Sequence, residues 1–307
     1  MKKVLVIYFS QTGQLSHALK STLAALENNK AVQLHYEQLI PTQPFPFPWS
    51  YMEFFNVFPE CVRGTPVALR PFTLDVNVDY DLIVIAYQPW FLSVSIPVNS
   101  FLQSVEGKKI VQDKPVITIL ACRNMWLNAQ EKMKLQLKNC GAKLVGHIAF
   151  VDKSANLISL VTVLAFALGG VKEKFLGLFP RYGVSDKDLN EVAPALGKII
   201  LESLQEENYL SLQTNLNAQG AVNVKSNLLL LEGRGKVLFP LYANYITRNG
   251  EASISQRRRR VRIFGIVLPL AILILSPLIT ILSRFAPLLF PEKIKKEKAY
   301  YSQNTLR

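Results

Sequence analysis

The sequence predicts an α/β fold: a doubly wound, five-stranded parallel sheet of order 2-1-3-4-5, with insertions and a C-terminal hydrophobic segment that associates with a membrane. Three observations point there. Short apolar runs alternate with helix-period stretches over residues 1–205, the pattern of a sheet covered on both faces. The first run, residues 4–9, breaks abruptly into Ser10-Gln11-Thr12-Gly13-Gln14, and a helical pattern follows at once. Residues 263–282 supply twenty positions without a charge. At ~1.5 Å per residue that is about 30 Å of helix, the thickness of a hydrocarbon core.

The elements follow in order. VLVIYF at 4–9 is the first strand, and Leu15, Ala18, Leu19, Leu23 and Leu26 share one face of a helix over 16–26. Met-Lys-Lys at the start has the look of a signal peptide, but the apolar run after it ends within six residues at a polar loop, which favours the strand. Further strands are predicted at 31–36, 82–87, 116–121 and 144–151, and helices at 98–105, 124–139 and 186–205. Ser185 with Asp188 three residues on forms a capping box at the last helix. In such a sheet the ligand sits at the strand C-termini.

Two insertions interrupt the alternation. Residues 41–72 carry seven prolines with Phe45, Phe47, Trp49, Tyr51, Phe54, Phe55 and Phe58 among them. That is too aromatic for a disordered linker and predicts a packed lid. Residues 154–181 contain an apolar helix near 157–168, stopped by Gly169-Gly170. The domain reading is 1–206 as one α/β domain, 207–256 as an extension of unknown role, and 257–307 as the tail. Within the extension, 228–231 and 237–242 read as short strands or as parts of a dimer contact.

Net charge is +13, but 11 Lys/Arg against 2 Asp/Glu fall from Arg257 onward. The basic character therefore belongs to the tail, and a nucleic-acid-binding face is excluded. Arg257, Arg258, Arg259, Arg260 and Arg262 precede the apolar segment, which favours a cytoplasmic body. Lys293, Lys295, Lys296 and Lys298 make the far flank basic too. A plain span, a hairpin re-entering at Pro277 and a helix lying in the interface all fit, with membrane lipid as the partner of 257–298. Three scattered cysteines (Cys61, Cys122, Cys140) argue for a reducing compartment and against a disulfide frame or zinc site. Three histidines exclude a histidine-rich metal site.

Three loops at strand C-termini should converge. Residues 10–15 gather hydroxyls and backbone N–H groups at a positive helix N-terminus, which suits an anion. The loop lacks the lysine of a Walker loop and the three-glycine spacing of a dinucleotide fingerprint. An ordinary Ser/Thr-capped turn is the alternative. The second loop is Gln88-Pro89-Trp90-Phe91, where Trp90 or Phe91 offers an aromatic platform unless Trp90 is simply core. The third is Cys122-Arg123-Asn124. Arg123 is a candidate for holding negative charge, against the alternative of a surface ion pair. Cys122 has no base beside it and reads as packing. Glu53, Glu60 and Arg63 in the first insertion are further candidates for polar contact with a substrate.

The motif at Ser10, Thr12 and Gly13 resembles the S/T-x-T-G-x-T loop that holds the phosphate of FMN in flavodoxins. It departs at Leu15, where a hydroxyl residue is usual and Ser16 is the available substitute. GVSDKD at 183–188, with Ala195 and Gly197, resembles the last helix of flavodoxin-like reductases. Together with PFPFPW at 44–49, YQPW at 87–90 and ACRNMW at 121–126, residues 1–205 and the basic apolar tail resemble the proteins encoded with dialkylresorcinol and stilbene biosynthesis genes. These are often labelled dialkylresorcinol condensing enzymes.

The resemblance implies a flavodoxin-like fold and FMN as cofactor. It implies contacts to FMN from Ser10, Gln11, Thr12, Gly13, Gln14, Leu15, Gln88, Pro89, Trp90, Phe91, Cys122, Arg123 and Asn124. It further implies an aromatase that oxidises a dialkyl cyclohexane-1,3-dione, often as its carboxylate, to a resorcinol. The carbon–carbon condensation then belongs to a partner ketosynthase. Related FMN folds often dimerise, so a homodimer is open. Two other readings stay open: an NAD(P)H:quinone reductase, and a membrane-tethered flavin electron carrier, against which the mildly basic body counts. A flavodoxin fold that has lost its flavin is a third, with Leu15 as its sign.

Overall fold

A computed structural model describes residues 1–154, 156–170, 183–248 and 254–307. Positions 171–181 of the second predicted insertion lie outside the described residues. Strand β1 (Lys2–Tyr8) leads through a short loop into α1 (Gln14–Glu27), and β2 (Val32–Gln38) follows. The first insertion forms two one-and-a-half-turn helices, α2 (Tyr51–Asn56) and α3 (Phe58–Arg63). After β3 (Leu82–Tyr87) comes a separate antiparallel hairpin of β4 (Pro89–Trp90) and β5 (Ser93–Val94). The chain continues through α4 (Ile96–Gln103), α5 (Val105–Val111), β6 (Pro115–Cys122), α6 (Leu127–Asn139) and β7 (Lys143–Val151). The main sheet is parallel in the order β2-β1-β3-β6-β7. With the hairpin set aside, this is the predicted 2-1-3-4-5, the flavodoxin-like doubly wound arrangement.

The strand sequences explain the layering. Every residue of β3 is buried, as a central strand covered on both faces requires. Along β1, Val4 and Val6 point to one core and Leu5 and Ile7 to the other. The first core takes Leu15, Leu19 and Leu23 of α1. The second takes Phe101 of α4 and Met133 and Leu137 of α6. Beyond β7, α7 (Asn156–Gly169) is the predicted apolar helix. A π-helical turn, Asp188–Val192, then leads into α8 (Ala193–Gln205), whose Leu196 and Ile200 complete the first core. Pro194 has no N–H to donate, which accounts for the irregular start. Half of the predicted capping box is formed: the Asp188 N–H donates to Ser185 Oγ at 3.2 Å, while the Asp188 carboxylate accepts the Ser185 hydroxyl at 2.8 Å.

Three predicted elements are corrected. The helix expected over 98–105 is two helices, because Ser104 takes an extended backbone and its hydroxyl caps α5 by accepting the Gly107 N–H at 2.9 Å. The helix expected from 124 begins at Leu127, which leaves 123–126 as loop. The strands considered at 228–231 and 237–242 are parts of one helix. The extension folds as α9 (Leu212–Ala218) and α10 (Ser226–Ile246), with Leu228, Glu232 and Gly235 buried at helical spacing. Apolar runs this short do not distinguish strand from helix by periodicity.

The tail is one long helix, α11 (Ile254–Leu289), followed by α12 (Pro291–Tyr301). It runs helically through Pro269, Pro277 and Pro287, so the chain does not turn back at Pro277. Ser255–Leu289 is long and apolar enough to cross a membrane, and most of its described side chains are exposed. Both flanks are tied to the body. At the start, Arg257 Nη2 reaches both oxygens of Glu60 at 2.8 and 2.9 Å, and Arg257 Nε donates to Asn56 Oδ1 at 2.8 Å. Past the end, the Tyr300 hydroxyl donates to Glu131, and Asn217 Nδ2 donates to the Ser302 carbonyl at 2.8 Å. A third core joins Phe55 and Phe58 of the insertion, Ala243 and Ile246 of the extension, and Val261 and Phe264 of the tail.

Helices α1 and α8 approach so closely that a Cβ on Gly197 would lie 1.8 Å from the Thr22 carbonyl oxygen. Backbone at that distance cannot give way without moving a helix. Gly197→Ala is therefore expected to lower the stability of the full-length protein by about 1–3 kcal/mol, read as an earlier urea midpoint with an unchanged slope.

Candidate functional site

The first loop leaves the sheet where the apolar run of β1 ends. Gly13 sits at the N-cap of α1 with φ +79°, a left-handed conformation that a side chain would strain, and the space where a Cβ would stand is open. The N-cap residue has no side chain to cap this helix and its first turn holds no acidic residue, so apart from the Ser16 N–H its positive end is available to an anion. Ser10 Oγ accepts the Ser16 N–H at 3.3 Å, and Gln11 Nε2 donates to the Pro46 carbonyl at 2.9 Å. The latter bond stitches the loop to the first insertion. Leu15 is fully buried in the core beside Ala18 and Leu19, which explains an apolar residue at that place.

The second loop is the β4–β5 hairpin. Its two turn residues, Phe91 and Leu92, have φ of +46° and +58°. Such a turn normally carries Asn or Gly, and each of these bulky residues costs of order 1–3 kcal/mol. Packing holds them. Phe91 meets Phe54 and Phe58 at ring-centroid distances of 5.1 and 5.3 Å. Lys132 Nζ donates to Ser93 Oγ at 2.7 Å and to the Val62 carbonyl at 2.9 Å, clamping the hairpin to α3. Trp90 stands edge-on to Phe45, Trp49 and Phe9 at 5.1, 5.8 and 5.8 Å.

The third loop follows β6. Cys122 is buried, and burial pushes its thiol well above the usual range, with Arg123 only partly opposing; it is a neutral packing group. The loop is held from beneath by Glu232 of α10, whose two carboxylate oxygens accept the Leu127 and Asn128 N–H groups at 3.0 and 2.8 Å. Nearby, Tyr87 donates to Gln130 at 2.7 Å and Gln130 donates to Thr118, whose hydroxyl meets His147 Nδ1 at 3.1 Å. Burial lowers that imidazole to about 3, so it is neutral. His147 braces Trp126 and does not line the cavity.

These loops enclose a cavity of about 190 Å³. Gln11, Thr12 and Gln14 line it from the first loop, Gln88, Pro89, Trp90 and Phe91 from the hairpin, and Ala121, Cys122 and Arg123 from the third. Phe47, Trp49, Phe54 and Val57 of the first insertion cover it, so the insertion packs as the expected lid. Phe166 and Ala167 of α7 close the remaining side, with the Trp49 N–H donating to the Ala167 carbonyl at 2.8 Å. Their part was missed in the sequence, where α7 offered only apolarity.

Other predicted residues lie elsewhere. Ser10, Gly13 and Leu15 are not among the residues that line the cavity, Gly13 being exposed and Leu15 buried in the core, and Asn124 lines a neighbouring cavity. Glu53 is occupied in a capping box with Ser50, Arg63 donates to Asn244 Oδ1 at 2.9 Å, and Glu60 holds Arg257. The structure brings none of these three to the cavity. Among the described residues no cluster of His, Cys, Asp and Glu is suited to a metal ion.

No family model matches the chain, and no curated protein matches it. Solved structures do. A flavoprotein from Lactobacillus acidophilus NCFM, in complex with FMN, is 17% identical with a TM-score of 0.40, over 50% of this chain and 94% of that one. A candidate flavoprotein from Bacteroides eggerthii DSM 20697 is 20% identical with a TM-score of 0.38, over 50% and 91%. A flavone reductase is 11% identical with a TM-score of 0.35, over 67% and 64%.

Burial raises the Glu232 carboxyl from 4.5 to about 7, against the opposing pull of its N–H donors. The folded state therefore holds this proton more tightly than the unfolded chain. Its stabilisation is full below about pH 4.5 and is lost as pH rises through about 7. Glu232→Gln should flatten the fall in unfolding free energy across that window, which in the parent amounts to about 3 kcal/mol at most, read from urea midpoints at a series of pH values.

Proposed function

We propose that the cavity is an FMN site and that the protein is an FMN-dependent oxidoreductase that aromatises a dialkyl cyclohexane-1,3-dione, or its carboxylate, to a dialkylresorcinol. One observation carries the reading: an anion-suited loop, an aromatic platform and an arginine-bearing loop line one cavity under an aromatic lid. Thr12, Gln14 and the N-terminus of α1 suit the phosphate. Trp90 and Phe91 suit the flat face of the ring, and the backbone of 121–124 its polar edge. When bound, FMN supplies a two-electron acceptor.

The remaining chemistry falls to the chain. Aromatisation removes two hydrogens from the ring carbons and leaves both oxygens as hydroxyls. The carbon between two carbonyls is acidic, so its proton leaves without a strong base, in keeping with a cavity that has no carboxylate or histidine among its described lining residues. Arg123 holds the resulting enolate, or the substrate carboxylate, near the ring. Phe47, Trp49 and Phe54 exclude water from above. The dione itself comes from a carbon–carbon condensation, the work of a partner ketosynthase.

The tail seats the protein on the cytoplasmic surface of a membrane. Both flanks of α11 return to the same body, which favours a helix lying in one leaflet over one that crosses. Exposed Arg258, Arg259 and Arg262 at one end, and Lys293, Lys295 and Lys296 beyond the other, suit anionic headgroups.

Two experiments test the reading. Thr12→Val should weaken FMN binding by ~1–2 kcal/mol in equilibrium dialysis; unchanged affinity would move the phosphate elsewhere. Anaerobic addition of a dialkyl cyclohexane-1,3-dione to the purified protein should bleach the flavin band as resorcinol forms. Bleaching by NADPH with indifference to the dione would make it a quinone reductase instead, and the lack of a flavin band would defeat the reading at its cofactor.

A further inference from the structure

A second cavity, of about 170 Å³, adjoins the first and shares Phe54, Pro89, Phe91, Cys122 and Arg123 as walls. Its other walls are almost wholly apolar, and three of them, Leu268, Pro269 and Ile272, belong to α11. These three are half-buried, one edge turned to the cavity. Their neighbours Ile266, Leu270, Leu273 and Ile274 are 57, 50, 55 and 70% exposed on the outer surface of the same helix. One helix thus separates an apolar cavity from the surface that would meet lipid. Arg123 stands at the junction, where a polar head would end and an apolar tail begin.

We propose that this second cavity takes an alkyl chain of the substrate, with α11 as its wall on the bilayer side. The proposal rests on the reading of the first cavity as the place of oxidation. It commits to a straight apolar chain attached to a ring for three reasons: the two cavities share five walls, the remaining walls of the second are apolar but for Asn124, and its far wall is the helix whose outer surface is apolar and exposed. A chain already dissolved in the membrane would then meet its site without passing through water, where each exposed methylene is costly.

The test uses the full-length protein in nanodiscs and a series of 5-alkylresorcinols from methyl to octyl, with binding measured by calorimetry. In the parent, Kd referred to the free aqueous ligand, with the uptake of empty nanodiscs subtracted, should fall by about fourfold per methylene until the cavity is full. Ile272→Trp should fill the cavity, weakening the octyl compound at least tenfold and leaving the methyl compound unchanged. Because a bulky replacement can disturb folding, Leu268→Ala serves as a second variant and should carry the gain to longer chains. Partition of the ligand into lipid is common to all three proteins and cancels. Chain-length profiles that coincide for parent and both variants overturn the proposal. The same titration with 1-alkanols separates the two readings. If alkanols follow the predicted profiles and resorcinols do not bind, the chain site stands and the dione assignment falls. If resorcinols bind without regard to chain length, the dione assignment survives and the chain site falls.

Discussion

Phe91 and Leu92 hold left-handed backbone angles that neither side chain favours, and the contacts that keep them there tie distant parts of the chain together. Phe54 and Phe58 come from the insertion after β2, Lys132 from α6, and Phe239, which packs with Phe58 at 5.2 Å, from the extension. A turn of this kind persists only where its surroundings over-determine it. Without it, the hairpin would not present Gln88, Pro89, Trp90 and Phe91 together along one wall. The lid, the extension and the tail are best understood as the packing that makes this local conformation tolerable.

Burial sets the electrostatic character of the same region. Cys122, His147 and Tyr87 are all held in neutral forms by desolvation, and the Glu232 carboxyl is pushed towards neutrality. Arg123 is therefore the one charged side chain among the cavity's described walls. Its field acts through a low-dielectric surround, where a negative charge developing on a ligand is felt more strongly than in water. A site of this kind favours chemistry in which the substrate brings its own acidity over chemistry that needs a strong protein base.

Legibility in the sequence followed the range of the interactions. The β1–loop–α1 unit was readable because a short apolar run, a polar loop and a helical stripe are all local signals. The same holds for β3, β6 and β7 and for the lid character of 41–72. The extension was misread because LLLL and VLFPLY are short apolar runs, and only packing decides that they are helical. The hairpin was invisible because Phe-Leu is not turn chemistry; its shape is imposed from outside. Glu232 gave no sign of its role because its partners, Leu127 and Asn128, lie more than a hundred positions away. Glu53, Glu60 and Arg63 drew notice as charges in an apolar stretch, and each proved to hold the scaffold: a cap, an ion pair to the tail, and a hydrogen bond to α10.

The stacking of Phe264 on Phe58, with ring centroids 4.0 Å apart, carries a thermodynamic consequence. Phe58 also meets Phe91, so the tail helix and the cavity wall share one set of rotamers. Two equilibria that share a conformational element are coupled, and the coupling is reciprocal. A change that displaces Phe264 from Phe58 is therefore felt at Phe91 in the cavity wall, and a ligand that holds Phe91 in place also holds the start of α11.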